Sequence, residues 1–213
     1  MFSKYRRTIL GSFLCAIMMM SMNASHVMAG AHKRQTIIQL HPGMVIGKSV
    51  FPNGDTKNGG QGQHVNGIQA DIGAQIIYHV HAHLSLFHDG QQIAVPQEIG
   101  ILHLHMKSPA GKLIPITAYY WLHTHDRSGI IHVESPLSPA HVQFTLGSFF
   151  DIWGEPLSSK QVTAWRGNVT VFVNGKLYRK NPRLIRLLPH EEITLEVGKP
   201  VVPPPTYRFP PGF

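Results

Sequence analysis

Apolar and polar residues alternate along much of the chain from residue 68 onward, with the period of two that is typical of β-strands. Over residues 78–87, apolar residues alternate with three histidines, then with Ser85 and Phe87, and Asp89-Gly90 follows as a pair typical of a tight hairpin turn. Asn174-Gly175 predicts a second such turn. The same pattern predicts further strands over residues 92–95, 101–106, 118–125, 168–174 and 192–197.

One stretch has the period of a helix instead. Large apolar residues spaced as i, i+3, i+4 and i+7 begin at Leu146 and end at Trp153, so their side chains lie on one helix face. Thr145 precedes this stretch as a predicted N-cap, and Gly154 follows it as a predicted helix end. We therefore expect a mainly β fold of antiparallel, sandwich-like sheets, with one short amphipathic helix packed on a sheet.

The composition divides the chain into four segments. Residues 1–31 begin with positive charges, continue with a short apolar run and end in small residues, which is the organisation of a signal peptide. Residues 32–67 form an N-terminal segment with a flexible Gly- and Asn-rich loop. Residues 68–198 form the predicted histidine-rich β domain. Residues 199–213 hold six prolines and predict an extended tail over the surface.

A cleaved signal peptide predicts a periplasmic or secreted protein without a stable membrane anchor. The only cysteine, Cys15, falls inside that segment, so the mature chain would lack thiolates and disulfides. A metal would then be bound by histidine, carboxylate, methionine or backbone groups. The net charge of +8 comes from scattered lysines and arginines that form no basic stripe, so no nucleic-acid partner is expected.

The most informative residues are histidines, of which the chain has fifteen. Several of them stand two residues apart within predicted strands: His79, His81 and His83; His103 and His105; His123 and His125. On a strand this spacing places the rings on one face, about 7 Å apart along the backbone. Such rings can converge on one metal ion, although solvent-facing polar residues would give the same alternation.

The segment around His123 predicts a specific site. A four-residue turn at residues 126–129 would pair three residues on each side of it: His125 with Ile130, Thr124 with Ile131 and His123 with His132. His123, His125 and His132 would then be three ligands on one patch of sheet. Glu134 shares the face of His132 and can act as a fourth ligand, as a residue that orients a ligand, or as a base.

The other strand histidines leave three possibilities open. His79, His81, His83, His103 and His105 complete this site, form a second site, or only border it. The donor set suits a divalent transition metal, zinc or copper. A separate possibility is that cleavage after Ala31 leaves His32 first, whose amino group and ring can chelate copper together; cleavage after Ala29 removes this option.

Three segments resemble an uncharacterised family of exported, histidine-rich bacterial proteins: Tyr78–Leu84, Trp121–Pro136 and Phe144–Gly154. The resemblance covers most of residues 68–200 and implies export. It implies no particular activity, substrate or cofactor.

Three functions remain compatible with the sequence. The first is a periplasmic carrier, buffer or sensor of copper or zinc, whose partners are the metal ion and another periplasmic protein. The second is a metalloenzyme in which His123, His125 and His132 leave one coordination position open to activate water or oxygen. The third is a non-catalytic interaction module whose histidines sense pH.

Overall fold

The computed structural model describes residues 37–54 and 57–213, which form a mainly β fold with one short α-helix, as predicted. The strands are β1 Ile37–Gln39, β2 Ala70–Asp71, β3 Tyr78–His88, β4 Gln91–Ile93, β5 Ile101–Lys107, β6 Leu113–Tyr120, β7 Leu122–His123, β8 Ile130–Ser135, β9 Leu157–Ser158, β10 Gln161–Val162, β11 Trp165–Arg166, β12 Val169–Val173, β13 Lys176–Leu177, β14 Glu192–Val197 and β15 Thr206–Arg208. The helix α1 is Leu146–Trp153, and a 3₁₀ turn spans Pro182–Leu184. The predicted signal peptide, with Cys15, and the residue His32 lie outside the described residues.

A seven-stranded sheet in the order β13-β12-β14-β3-β8-β7, with β4 beside β3, forms the centre of the fold. Its longest strand, β3, pairs with β8 through its first half and with β4 through its end. Most pairs are antiparallel, whereas β14 runs parallel to β3. Both predicted hairpin turns are present, and Asp89 and Gly90 have φ angles of 49° and 73°, the left-handed region that such two-residue turns require.

The helix α1 contributes to the main hydrophobic core together with one face of this sheet. Every residue of α1 except Asp151 is buried, which confirms that its aromatic face packs in the core. The predicted caps are also confirmed: the Thr145 side chain accepts a hydrogen bond from the Ser148 N–H, and Gly154 has a φ of 80°. Alternate residues of β3 and β8, such as Leu84 and Val133, complete this core.

A second layer covers part of the opposite face of the sheet. It consists of β1 and β15, which pair in parallel, and of a small apolar cluster that includes Leu40, Ile130 and Tyr207. The Pro-rich tail therefore does more than extend over the surface, because Tyr207 is buried and its hydroxyl hydrogen-bonds with Ser85 on β3. This layer helps to bury polar residues of β3 that a two-layer fold would leave in solvent.

The predicted strand over residues 118–125 is divided between two sheets. Residues up to Tyr120 belong to β6, which pairs with β5 and β2, whereas β7 pairs with β8 in the central sheet. Trp121 connects the two sheets. Its backbone N–H donates to the carbonyl oxygen of Gln69, and its backbone carbonyl accepts from the N–H of Glu134 on β8. A third small sheet contains β9, β10 and β11. Among the described residues, no helix is long and apolar enough to cross a membrane.

Candidate metal centre

Three adjacent strands bring the histidines together. His81 on β3 lies directly opposite His132 on β8, and His132 lies directly opposite His123 on β7, so the three form a row across the sheet. Two residues after His132 on β8, Glu134 lies opposite His79. Because residues two apart on a strand share a face, all of these side chains project from the face that α1 does not cover.

Four of these residues form a first group of potential ligands: His79, His81, His132 and Glu134. His81 Nε2 lies 3.1 Å from His79 Nε2 and 3.1 Å from His132 Nδ1. Glu134 Oε1 lies 3.3 Å from the same two neighbouring nitrogens, which closes a ring of four donor atoms. A tetrahedral zinc ion with bonds of about 2.0–2.1 Å holds its ligand atoms roughly 3.4 Å apart, so the ring has the size that such an ion needs.

Hydrogen bonds alone cannot satisfy this ring. A ring nitrogen of neutral histidine carries either one proton or one lone pair, so His81 Nε2 can hydrogen-bond well with only one of its two neighbours. A cation at the centre would instead accept a lone pair from every member. The chemistry and spacing of the donor atoms thus fit a metal ion better than a closed hydrogen-bond network.

A second group shares two members with the first: His123, His125, His132 and Glu134. His123 Nε2 lies 3.1 Å from His125 Nε2 and 4.0 Å from Glu134 Oε1. The ring of His125 meets that of His132 edge-on, with centroids 4.5 Å apart. Within each group the donor atoms lie within 4.8 Å of one another. Each group contains one exposed histidine, His79 in the first and His125 in the second.

The backbone fixes the orientation of His123. Its Nδ1 lies 2.8 Å from the carbonyl oxygen of Tyr120, to which a ring N–H donates. The proton is then on Nδ1, and the lone pair of Nε2 points towards His125 and Glu134. A carbonyl that fixes the ring in this way is the usual outer partner of a metal-binding histidine.

The surroundings of the centre keep His81, His123 and His125 neutral and Glu134 ionised near neutral pH. Burial, followed by the neighbouring charges of His132 and His79, lowers the pKa of His81 to about 3. Burial likewise lowers the pKa values of His123 and His125. The hydrogen bond from His132 lowers the pKa of Glu134, although burial opposes this shift. Neutral imidazoles and an ionised carboxylate are the forms that bind metals, so little proton release would be needed.

The predicted hairpin pairing holds only for its outermost pair, the one farthest from the turn. His123 opposes His132, but the expected pairs of Thr124 with Ile131 and of His125 with Ile130 do not form. Instead, the Thr124 N–H donates to Ile99 O and its hydroxyl donates to Pro96 O. The chain therefore leaves β8 after His123 and forms a wide loop, from which the side chain of His125 still reaches His123.

The other predicted histidines lie outside both groups. His83 is buried, its Nε2 donates to the carbonyl oxygen of Ser128, and its ring packs against that of Tyr207 at a tilt of 31° with centroids 3.7 Å apart. Burial lowers the pKa of His83 to about 4, so it is a neutral structural residue at pH 7. His103 and His105 are exposed on β5, and His103 Nε2 lies 3.9 Å from Glu98 Oε1.

Two features of the centre have no signal in the sequence. A cleft of about 240 Å³ adjoins it, lined by Asp71, Gly73, Ala74, Ile76, Tyr119, Trp121, His123 and Glu134. The ring of Phe213, from the Pro-rich tail, lies 4.4 Å from the ring of His81 and 5.8 Å from that of His132. Both features depend on packing between residues that are far apart in the chain, which no local pattern reveals.

Comparison of the chain with models of known protein families, with curated proteins and with solved structures found no match. The function is therefore inferred from the residues of the site, and the resemblance to exported bacterial proteins stays a prediction.

Proposed function

We propose that this chain is an exported metal-binding protein, a carrier, buffer or sensor of zinc or copper, whose centre includes His79, His81, His132 and Glu134. The observation that supports this most strongly is the closed ring of donor atoms with edges of 3.1 and 3.3 Å. Three nitrogens and one oxygen suit a borderline metal ion rather than calcium or magnesium, which prefer oxygen ligands. Export is proposed from the organisation of residues 1–31 and from the resemblance to exported bacterial proteins.

The partial exposure of the centre favours a carrier or buffer. The side chain of His79 is 49% exposed and that of Glu134 is 22% exposed, whereas that of His123 is 1% exposed. An ion could therefore enter and leave from the His79 side while the buried histidines hold their geometry.

Metal binding by purified protein tests this function. The chain is stripped with a chelator, incubated with zinc or copper, freed of unbound metal and analysed for metal content. We expect stoichiometric metal in the wild type and in His105→Ala, because His105 lies outside both groups. The double variant His79→Ala/Glu134→Gln should lose the metal of the first group. Binding in the wild type that is no tighter than in this variant would overturn the proposal.

The cleft beside His123 and Glu134 favours a second candidate, a metalloenzyme. Its volume of about 240 Å³ admits a small molecule, and its walls combine the aromatic rings of Tyr119 and Trp121 with the carboxylate of Asp71. The test is metal-dependent hydrolysis of small p-nitrophenyl esters and phosphates by loaded protein. Turnover lost in Glu134→Gln but kept in Glu98→Gln would support an enzyme. Equal rates in the wild type, Glu134→Gln and Glu98→Gln would argue against an enzyme and leave metal binding as the function.

The buried histidines give little support to a pH-sensing module. The pKa of His81 is lowered to about 3 and that of His83 to about 4. Neither residue would change charge between pH 5 and 8, the range in which an unperturbed histidine responds.

A further inference from the structure

The two groups of potential ligands lie on opposite sides of β8, which carries the residues that they share. On one side, β3 supplies His79 and His81. On the other side, β7 and the loop after it supply His123 and His125. His132 and Glu134 project from β8 between these pairs and belong to both groups.

One metal ion cannot bind both outer pairs. With bonds of about 2.0–2.1 Å, an ion holds its donor atoms no more than about 4.2 Å apart. The donor atoms of all six residues do not fall within even 4.8 Å of one another, since they form two groups rather than one. A single ion would leave one histidine pair without a partner.

Of the two shared residues, Glu134 has the chemistry of a bridging group, whereas a neutral His132 can bind one ion through one nitrogen. Glu134 has two carboxylate oxygens, and its Oε1 lies 3.3 Å from His79 Nε2 and 4.0 Å from His123 Nε2. His132 has two ring nitrogens, of which Nδ1 faces His81, and its ring lies nearly parallel to that of His123 with centroids 5.3 Å apart. Sites with two metals commonly hold their ions about 3.5–4 Å apart.

We propose that the centre binds two divalent transition-metal ions side by side, one bound by His79 and His81 and the other by His123 and His125, with Glu134 bridging them and His132 between them. This inference rests on the proposed metal-binding function and adds the number and arrangement of the ions.

The two positions differ in their surroundings, so they should fill in order. The first is bounded by a closed ring of donor atoms and lies beneath Phe213. Each position includes one exposed histidine, His79 or His125, but only the second includes His123, which lines the adjoining cleft. Because one carboxylate offsets little of the charge of two dications, the second ion also meets repulsion from the first. The first ion should bind more tightly, and the second should exchange more easily.

The experiment is a zinc titration of the full chain, followed by native mass spectrometry, on four proteins. We expect two zinc ions per chain in the wild type and in the control His105→Ala. His125→Ala, which truncates an exposed residue, should bind one ion with an affinity within about threefold of the tighter wild-type site. His79→Ala should keep only the weaker ion.

The same titration with copper(II), followed by electron paramagnetic resonance, tests whether the ions are neighbours. Two copper(II) ions bridged by a carboxylate couple magnetically, so the signal should fall when the second equivalent binds. Signal that doubles instead, or two zinc ions retained by His125→Ala, would place the second ion elsewhere and overturn the inference.

The failure of this inference differs from that of the proposed function. A wild type that binds one zinc, lost in His79→Ala and kept in His125→Ala, would overturn the two-ion centre and leave the metal-binding function intact. A wild type that binds no zinc or copper would overturn both.

Discussion

His81 and His132 lie directly opposite each other on β3 and β8, and Nε2 of the first is 3.1 Å from Nδ1 of the second. Two buried imidazoles in this relation gain at most one hydrogen bond from each other, and the Nδ1 of His81 has no hydrogen-bond partner in the part of the chain that the structure describes. A buried polar atom without a partner costs about 1–3 kcal/mol. The arrangement of the histidines therefore lowers the stability of the metal-free folded chain, and metal binding would offset this loss.

Replacement of Glu134 tests the only carboxylate in either group. Glu134→Gln keeps the shape of the side chain but removes its charge, and we expect zinc affinity to fall by at least about tenfold, as for other changes around metal centres. Isothermal titration with zinc measures this change. Glu98→Gln, which removes a carboxylate that contacts Asn53 and His103 and belongs to neither donor group, is the matched control and should bind like the wild type. Equal losses in both variants would contradict a ligand role for Glu134.

Metal should stabilise the folded chain. Zinc at about 100 times its dissociation constant contributes about 2.7 kcal/mol, because it binds the folded state. For a chain of this size that corresponds to a rise in melting temperature of roughly 5–10 °C, measured by differential scanning fluorimetry. In His79→Ala the rise should be much smaller at the same zinc concentration, and a chelator should remove it from the wild type. A rise unaffected by His79→Ala would place the stabilising ion elsewhere.

The elements that the sequence predicts well are those with local signals. The bounds of β14, Glu192–Val197, match the prediction, and so do the caps of α1, because alternation and capping depend on neighbouring residues. The pairing of His123 with His132 was also predictable, since a short connection restricts the register. Beyond that pair the prediction was wrong, because Thr124 finds hydrogen-bond partners at Pro96 and Ile99 that no local pattern reveals.

The first donor group was not predictable in detail because it depends on a long-range pairing. More than forty residues separate β3 from β8, and nothing in either segment indicates that His79 lies opposite Glu134. The burial of His81 and His83 has the same origin, since it depends on packing by residues of the tail such as Phe213 and Tyr207. Alternation predicts that the histidines share a face, but it does not predict what covers that face.

Phe213 should slow the release of metal. Its ring packs against His81, so Phe213→Ala would admit water to the buried side of the centre and raise the rate of zinc loss to a chelator several-fold. Stopped-flow mixing with a chromogenic chelator measures this rate. The control is Phe209→Ala, since the ring of Phe209 stacks on His190 rather than on a ligand. Equal rates in the two variants would show that the tail affects release only through general stability.

Gly129 should be essential for the approach of the loop before β8 to β3. Its φ is +87°, and a Cβ atom there would lie 2.4 Å from the carbonyl oxygen of Leu84. We expect Gly129→Ala to lower the free energy of unfolding by about 2 kcal/mol or more, measured by urea denaturation. Gly111→Ala separates the strain of the positive φ from the clash with a neighbouring atom, because Gly111 has a φ of +78° but no atom within 4 Å of its Cβ position. The free energy of unfolding of Gly111→Ala should fall by only about 1 kcal/mol, and an equal fall in both variants would refute the steric argument.

The buried carboxyl of Glu196, which lies away from the metal centre, lowers the stability of the folded chain in a pH-dependent way. Its side chain is buried, its Oε2 accepts a hydrogen bond from the Val202 N–H, and its Oε1 has no hydrogen-bond partner among the described residues. Burial raises the pKa of this carboxyl above its ordinary value of 4.5. Ionisation is therefore harder in the folded state than in the unfolded state, and stability is lost as the pH rises through the raised pKa.

Glu196→Gln should remove this cost while keeping an acceptor for Val202. We expect the variant to melt at a higher temperature than the wild type at pH 7, and the difference to shrink towards zero below pH 4.5, where the wild-type carboxyl is neutral in both states. Thermal unfolding followed by circular dichroism at several pH values measures this trend. Glu98→Gln makes the same change of net charge at a more exposed position. A stabilisation of Glu196→Gln that persisted unchanged at pH 4 would assign the gain to packing rather than to ionisation.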